Sequence, residues 1–310
     1  MEKKQPLISI ITPSLNQGEY IEDTIKSVLN QSYPNFEHII IDGDSTDGTI
    51  DILKKYDHLI WVSEKDGGQS EAINKGFKKA KGEIIGWLNS DDCYKPNAFF
   101  TIVQELNRAE NKYVVFGDCY VIDAKGNRIG YVKGQLPHPK DWLKYWKKDY
   151  RIPSASVFFY KEIFQNVGYL DENIHYVMDD DFFLRINEHY RFHYIKKPLG
   201  SMRIHDRAKT PLRGEMYERE WFRILKKKWA YLPLASRYVY LFKALSFRSN
   251  IMREGAYSTM EELSLSKFRK KILLSIVISP PNLFKRRFLS ALLRSILGHE
   301  YTGRIKRMYS

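Results

Sequence analysis

Two adjacent carboxylates, Asp91 and Asp92, follow the apolar run Ile84–Leu88 through Asn89 and Ser90. Carboxylates so close together repel and favour a cation. Mg²⁺ and Mn²⁺ take oxygen ligands, often one or two carboxylates completed by substrate phosphates. The same pair, lying before Lys95-Pro96, would also suit a helix N-cap. A second acidic stretch, Asp42-Gly43-Asp44-Ser45-Thr46-Asp47-Gly48-Thr49, follows an Ile-rich run. It can be a Gly-rich turn ending in a cap, or a loop whose carboxylate holds a nucleobase or ribose. A third, Asp179, Asp180 and Asp181, stands before the apolar Phe182–Ile186. One or more of these three carboxylates would cap a helix opening at Phe182.

The elements that must carry these residues alternate between strand and helix. Leu7–Ile11, His38–Ile41, Leu59–Ser63 and Ile84–Leu88 are short apolar strands. Between them, Ile21, Ile25, Val28 and Leu29 recur at helical spacing, a short helix is expected near Thr49–Tyr56, and Ala72, Ile73, Phe77 and Ala80 mark another helix. Continuous apolar strands separated by helices imply a parallel sheet covered on both faces. Ligands of such sheets bind beyond the carboxyl ends of the strands, so the loops Thr12–Asn16, Asp42–Asp47 and Asn89–Asp92 should share one crevice. Further on, Tyr113–Phe116, Tyr120–Asp123 and Ser156–Tyr160 read as strands, with a turn at Ala124–Asn127.

Apolar residues make up 43% of the 310, which excludes a disordered chain. Two cysteines, Cys93 and Cys119, exclude a disulfide framework and suit a reducing compartment. Neither a secretory signal nor an apolar run approaching 18 residues is present, so a cytoplasmic protein without a transmembrane helix is expected. The formal charge of +13 is uneven: residues 1–210 hold 29 Lys and Arg against 30 Asp and Glu, whereas 211–310 hold 21 against 7. A near-neutral domain, 1–210, therefore precedes a basic, helix-patterned extension, 211–310. Its clusters Lys226–Lys228, Lys267–Lys271 and Lys285–Arg287, interleaved with apolar residues, suit an anionic membrane surface or a solvated helical face. No nucleic-acid motif accompanies the charge.

In order, Ile11–Thr49, Ser63–Phe77, Gly82–Asp92, Val167–Ile186 and Gly200–His205 resemble the family 2 glycosyltransferases with a GT-A fold, closest to bacterial O-antigen and capsule types. The likeness runs from Ile8 to about Thr210. It implies a Rossmann-like, mostly parallel sheet flanked by helices, and an inverting, metal-dependent transferase of cell-surface polysaccharide synthesis. The donor would be a nucleoside-diphosphate sugar, a UDP-sugar first. Pro13, Ser14 and Asn16 would line base and ribose, Asp42 would take the place of the nucleotide-contacting acid, and Gly68 and Asn74 would lie on the donor side. Gly43 and Leu15 depart from the acid and the aromatic that many members carry there. The Asp-x-Asp motif appears as Asn89-Ser90-Asp91, which makes Asp91, with Asp92 second, the ligand of Mn²⁺ or Mg²⁺; His205 would complete the site. Asp179 would be the catalytic base. A lipid-linked glycan acceptor at the inner face of the plasma membrane would explain the basic extension. Two alternatives stand beside this. Asp42, Asp44 and Thr46 also fit the Asp-x-Asp-x-Thr motif of haloacid-dehalogenase-type phosphatases, Asp42 being the nucleophile and Asp44 the acid/base. A basic, non-enzymatic surface-binding protein is the other.

Overall fold

A computed structural model describes residues 5–108, 113–136, 142–144, 151–208 and 215–258. They divide into two compact units. One takes the described residues up to Trp142 and those from 151 to 208; the other takes Leu143, Lys144 and 215–258. The basic clusters Lys267–Lys271 and Lys285–Arg287 lie outside the described residues, as does most of 138–150.

The first unit is a nine-stranded sheet with helices. It begins β1 (Ile8–Ser14), α1 (Ile21–Leu29), β2 (Phe36–Asp42), α2 (Thr49–Leu53), β3 (Leu59–Ser63), α3 (Gln69–Lys79) and β4 (Ile84–Trp87). It continues with β5 (Cys93–Tyr94), α4 (Ala98–Asn107), β6 (Val114–Ile122), β7 (Arg128–Val132), β8 (Phe158–Tyr160), α5 (Phe164–Val167), α6 (Met178–His189) and β9 (Phe192–Arg203). The strand order is β3-β2-β1-β4-β8-β6-β9-β5, with β7 paired to β6. Pairing is parallel from β3 to β4 and between β6 and β9. It is antiparallel where β5, β7 and β8 join.

β1 is buried along its whole length, its polar Ser9, Thr12 and Ser14 included. Ile10 enters a core with Phe99 and Phe158. Ile11 lies under α3, and that seat depends on Gly76: a Cβ there would stand 2.4 Å from Ile11 Cγ2. α3 is thereby held tight against the strand whose carboxyl end opens the site.

Three expected elements differ. Tyr113–Phe116 and Tyr120–Asp123 are one strand, β6, followed by a turn in which Asp123 accepts from Asn127 and Lys125 N–H groups. Ser154–Ser156 form a 3₁₀ turn, so β8 starts only at Phe158. α6 opens at Met178, so Asp179–Asp181 sit inside its first turn and none caps it from outside. Acids are favoured there by the unpaired N–H groups and the helix dipole.

His38 on β2 is fully buried, its Nε2 3.0 Å from Thr12 Oγ1 and its Nδ1 without a partner among the described residues. Burial pushes its pKa down from 6.5 to about 3. Between those values the unfolded chain binds a proton that the folded chain refuses. Stability therefore falls as pH drops below 6.5, by about 1.4 kcal/mol per unit from this group. Urea unfolding from pH 7 to 4 should show a shallower loss in His38→Gln; parallel curves would remove His38 as a source.

The second unit contains α7 (Glu215–Trp229) and α8 (Leu234–Ser258), which pack on each other. Trp221, Leu225 and Trp229 are buried.

Candidate active site

The loops at the carboxyl ends of β1 to β4 are fastened to one another. Asn16, in a left-handed conformation, accepts from Thr46 N–H through Oδ1 at 2.9 Å, and its own N–H donates to Ser45 Oγ at 2.7 Å. The Gly18 N–H donates to Asp47 Oδ2 at 2.9 Å. Thr24 Oγ1 of α1 donates to the Ser90 and Asp92 carbonyls at 2.9 and 2.7 Å. Gln69 Nε2, at the start of α3, donates to Asn89 Oδ1 at 2.9 Å. The expected shared crevice is thus held by bonds between residues far apart in sequence.

Asp42 is fully buried. Its carboxylate accepts from Ser45 N–H (2.9 Å), Ser45 Oγ (2.6 Å) and Ser63 Oγ (2.7 Å). It braces the loop and exposes no surface of its own, so the structure does not bring it to a donor. A phosphatase nucleophile needs an open carboxylate, and Asp42 does not offer one. Beside it, Pro13 and Ser14 are buried, and the Ser14 hydroxyl has no partner among the described residues. Leu15 is 54% exposed. A Cβ on Gly43 would stand 3.0 Å from Asp66 Oδ2 and 3.4 Å from Leu15 Cδ1, so Leu15, Gly43 and Asp66 lie side by side. Asp66 accepts from the Gly68 N–H at 2.9 Å, and burial pushes its carboxyl up. Asp66 is not singled out by the sequence; the signal it offers there is its place directly before the Gly67-Gly68 pair, and Gly68 has a φ of +132°.

Asp91 and His205, 114 residues apart, meet: Asp91 Oδ2 lies 3.1 Å from His205 Nε2. His205 is buried against Tyr20, ring centroids 4.5 Å apart, and its Nδ1 has no partner among the described residues. One oxygen and one imidazole nitrogen at this separation can share a divalent cation. Among the described residues no group of three or more His, Cys, Asp or Glu side chains could hold one. The pair therefore suits an ion completed by ligand phosphates and water.

Asp92 does not join that pair. It is buried and turned away, accepting from the Arg203 N–H at 2.9 Å and from Asn89 Nδ2 at 3.2 Å. Burial, with Asp91 alongside, pushes its carboxyl well above the usual range. Arg203, another residue the sequence reading did not single out, ties the loop down. Its guanidinium donates to the Asp91 carbonyl (2.9 Å), the Ala124 carbonyl (3.0 Å) and Asp23 Oδ2 (2.8 Å).

α3 also reaches the third acidic stretch. Ser70 Oγ donates to the Ile174 carbonyl at 2.8 Å. The Asn74 amide donates to the Leu170 carbonyl (3.0 Å) and Glu172 Oε1 (2.9 Å) and accepts from the Leu170 N–H (3.0 Å). Asn74 is therefore a clamp on the segment leading into α6, with its hydrogen-bonding groups used there rather than on a donor. Gly68 faces the same segment, since a Cβ on it would lie 3.7 Å from His175 Nδ1. Asp179 follows at the second position of α6, half-buried, its Oδ1 accepting from the Asp180 N–H at 2.9 Å. Asp181 is taken up by Arg185 at 2.9 Å. Asp181 is thereby neutralised, whereas Asp179 is held by a backbone N–H and makes no ion pair among the described residues.

The family model "Glycosyl transferase family 2" matches residues 9–168. An uncharacterized glycosyltransferase of Rickettsia typhi is 31% identical over 284 residues, 86% of each chain. A putative teichuronic acid biosynthesis glycosyltransferase of Bacillus subtilis is 46% identical over 101 residues, 31% of this chain and 40% of that one. Among solved structures, a mannosyltransferase of Pyrobaculum calidifontis in complex with GDP-Man and Mn²⁺ shares the fold. It has a TM-score of 0.54 and 16% identity, over 94% of this chain and 88% of that one.

Proposed function

The chain belongs to glycosyl transferase family 2, and from that premise we propose an inverting, metal-dependent transferase of cell-surface polysaccharide synthesis. It moves a sugar from a nucleoside-diphosphate donor to a hydroxyl of a glycan acceptor. The meeting of Asp91 and His205 across 114 residues carries this reading: they hydrogen-bond each other at 3.1 Å, a spacing at which one oxygen and one imidazole nitrogen can also hold a cation between them.

Asp91 and His205 would hold Mn²⁺ or Mg²⁺, which supplies positive charge to the departing diphosphate. Asp179 takes the proton of the acceptor hydroxyl as that oxygen bonds to the anomeric carbon. The bond from the anomeric carbon to the diphosphate oxygen breaks, and its electron pair leaves with the nucleoside diphosphate. One base and one displacement invert the centre. The neighbouring Leu15, Gly43 and Asp66 would take the base. A carboxylate there can accept from a base edge that donates N–H, such as N3–H of uracil or N1–H of guanine.

Thermal unfolding with UDP, GDP, dTDP and CMP, each with Mn²⁺ or EDTA, tests this. A ligand at 100 times its dissociation constant adds about 2.7 kcal/mol, worth several degrees at this size. One diphosphate should shift the midpoint with Mn²⁺ and not with EDTA; no shift with any of them would overturn the reading.

Among the described residues no helix is long and apolar enough to cross a membrane. We propose peripheral attachment to anionic lipid, with a lipid-linked acceptor. Lys226–Lys228 close α7, and Leu234, Tyr238 and Phe242 are exposed at i, i+4 and i+8 on α8, a pattern that suits an interfacial helix. Flotation with phosphatidylglycerol vesicles and not with neutral ones is the expected result.

A further inference from the structure

The β6–β7 hairpin carries a surface that the reaction above does not use. Tyr120 on β6 and Tyr131 on β7 are cross-strand partners, ring centroids 5.5 Å apart. Arg128 lies 3.9 Å over the Tyr120 ring and 5.7 Å from the Tyr131 ring, and Lys95 Nζ lies 5.2 Å from the Tyr120 ring. Neither cation makes an ion pair with a described residue.

Tyr131 is 45% exposed, yet it is pinned. Its hydroxyl donates to Asp118, which is 2% exposed and also accepts from Tyr194 (2.6 Å) and the Gly134 N–H (2.7 Å). An exposed ring fixed by a buried carboxylate is preorganised for a partner, because its ordering cost is met before binding. The acids nearest in the fold do not neutralise the cations. Asp118 is filled by its three donors, and Asp123 is bonded to the Lys125 and Asn127 N–H groups of its own turn.

The surface adjoins the catalytic loop. Arg203 donates to the Asp91 carbonyl and, from the same guanidinium, to the carbonyl of Ala124 in the hairpin turn. Aromatic faces stack on the C–H faces of sugar rings, and a guanidinium recognises carboxylate or phosphate by paired hydrogen bonds.

We propose that this face, formed by Tyr120, Tyr131, Arg128 and Lys95, binds the acceptor as an anionic glycan, a chain of sugar rings bearing carboxylate or phosphate groups. The proposal rests on the transferase reading for the word acceptor; the glycan site itself does not.

Equilibrium binding of the full chain to four immobilised polymers tests it. Polygalacturonate offers rings with carboxylates, phosphomannan rings with phosphates, pullulan neutral rings, and polyphosphate anions without rings. Tyr131→Ala and Arg128→Gln should each weaken at least one of the first two by fivefold or more. Whichever polymer responds identifies the anion. Tyr131→Ala should leave polyphosphate binding, which reports the basic extension, unchanged. Both variants should keep the wild-type melting temperature, since Asp118 retains Tyr194 and Gly134, and should keep the Mn²⁺-dependent nucleotide shift. Wild-type binding of both ring polyanions by Tyr131→Ala would overturn the proposal, as would an equal loss on polyphosphate. If wild type showed no nucleotide shift but the polymer pattern held, the transferase reading would fail and the glycan site would stand.

Discussion

Asp179→Asn should lower sugar transfer by roughly 10²–10⁴-fold while leaving the Mn²⁺-dependent nucleotide shift at its wild-type value. The amide keeps the size of the carboxylate and an Oδ1 able to accept from the Asp180 N–H, so the first turn of α6 survives. What it loses is the capacity to take a proton. The clamps from Ser70 and Asn74 hold the preceding segment independently of Asp179, so a fall in rate would report chemistry and not displacement. A radiolabelled donor and a glycan primer give the rate; retained transfer would remove Asp179 from the role.

The second large effect is expected at Asp91. Asp91→Ala removes the only oxygen ligand of the Asp91–His205 pair and leaves one imidazole. The nucleotide shift with Mn²⁺ should fall to the level seen with EDTA, and transfer should drop by about 10³-fold, the scale of losing stabilisation of a charged leaving group. Asp92→Ala offers the contrast. It unpairs the Arg203 N–H and the Asn89 amide, so it should lower the melting temperature while keeping a Mn²⁺-dependent shift. A normal metal response in Asp91→Ala, or its loss in Asp92→Ala alone, would exchange the two assignments.

The first half of the sheet is legible because β1 and most of β2 are buried on both faces, which favours apolar-rich runs such as Ile8–Ile11 and Ile39–Ile41. β9 is not. It carries Lys196-Lys197-Pro198 in its middle, and it tolerates them by slipping its register against β6 around Asp118. The start of α6 was obscured for a related reason: three aspartates carry no apolar period, although a helix N-terminus accepts them. In the site, Asp91 and His205 could be paired by family resemblance. The direction a loop side chain faces could not be read. Whether Asp92 looks toward Asp91 or toward Arg203, 111 residues away, is decided by the tertiary fold alone. Asn74 posed the same difficulty, since its partners at Leu170 and Glu172 are nearly 100 residues on.

α3 meets the Asn89 loop through Gln69 and the approach to α6 through Ser70 and Asn74. Because these contacts leave one helix, their spacing is an angle as well as a length. Each residue advances the helix by about 1.5 Å and turns it by about 100°. A single residue inserted between Ser70 and Asn74 would rotate the Asn74 amide about a quarter-turn off its partners, while Gly76 would cease to face Ile11. Length variation among relatives should therefore be confined to the loops on either side of α3, with the helix acting as a fixed gauge between the Asn89–Asp92 loop and the approach to α6.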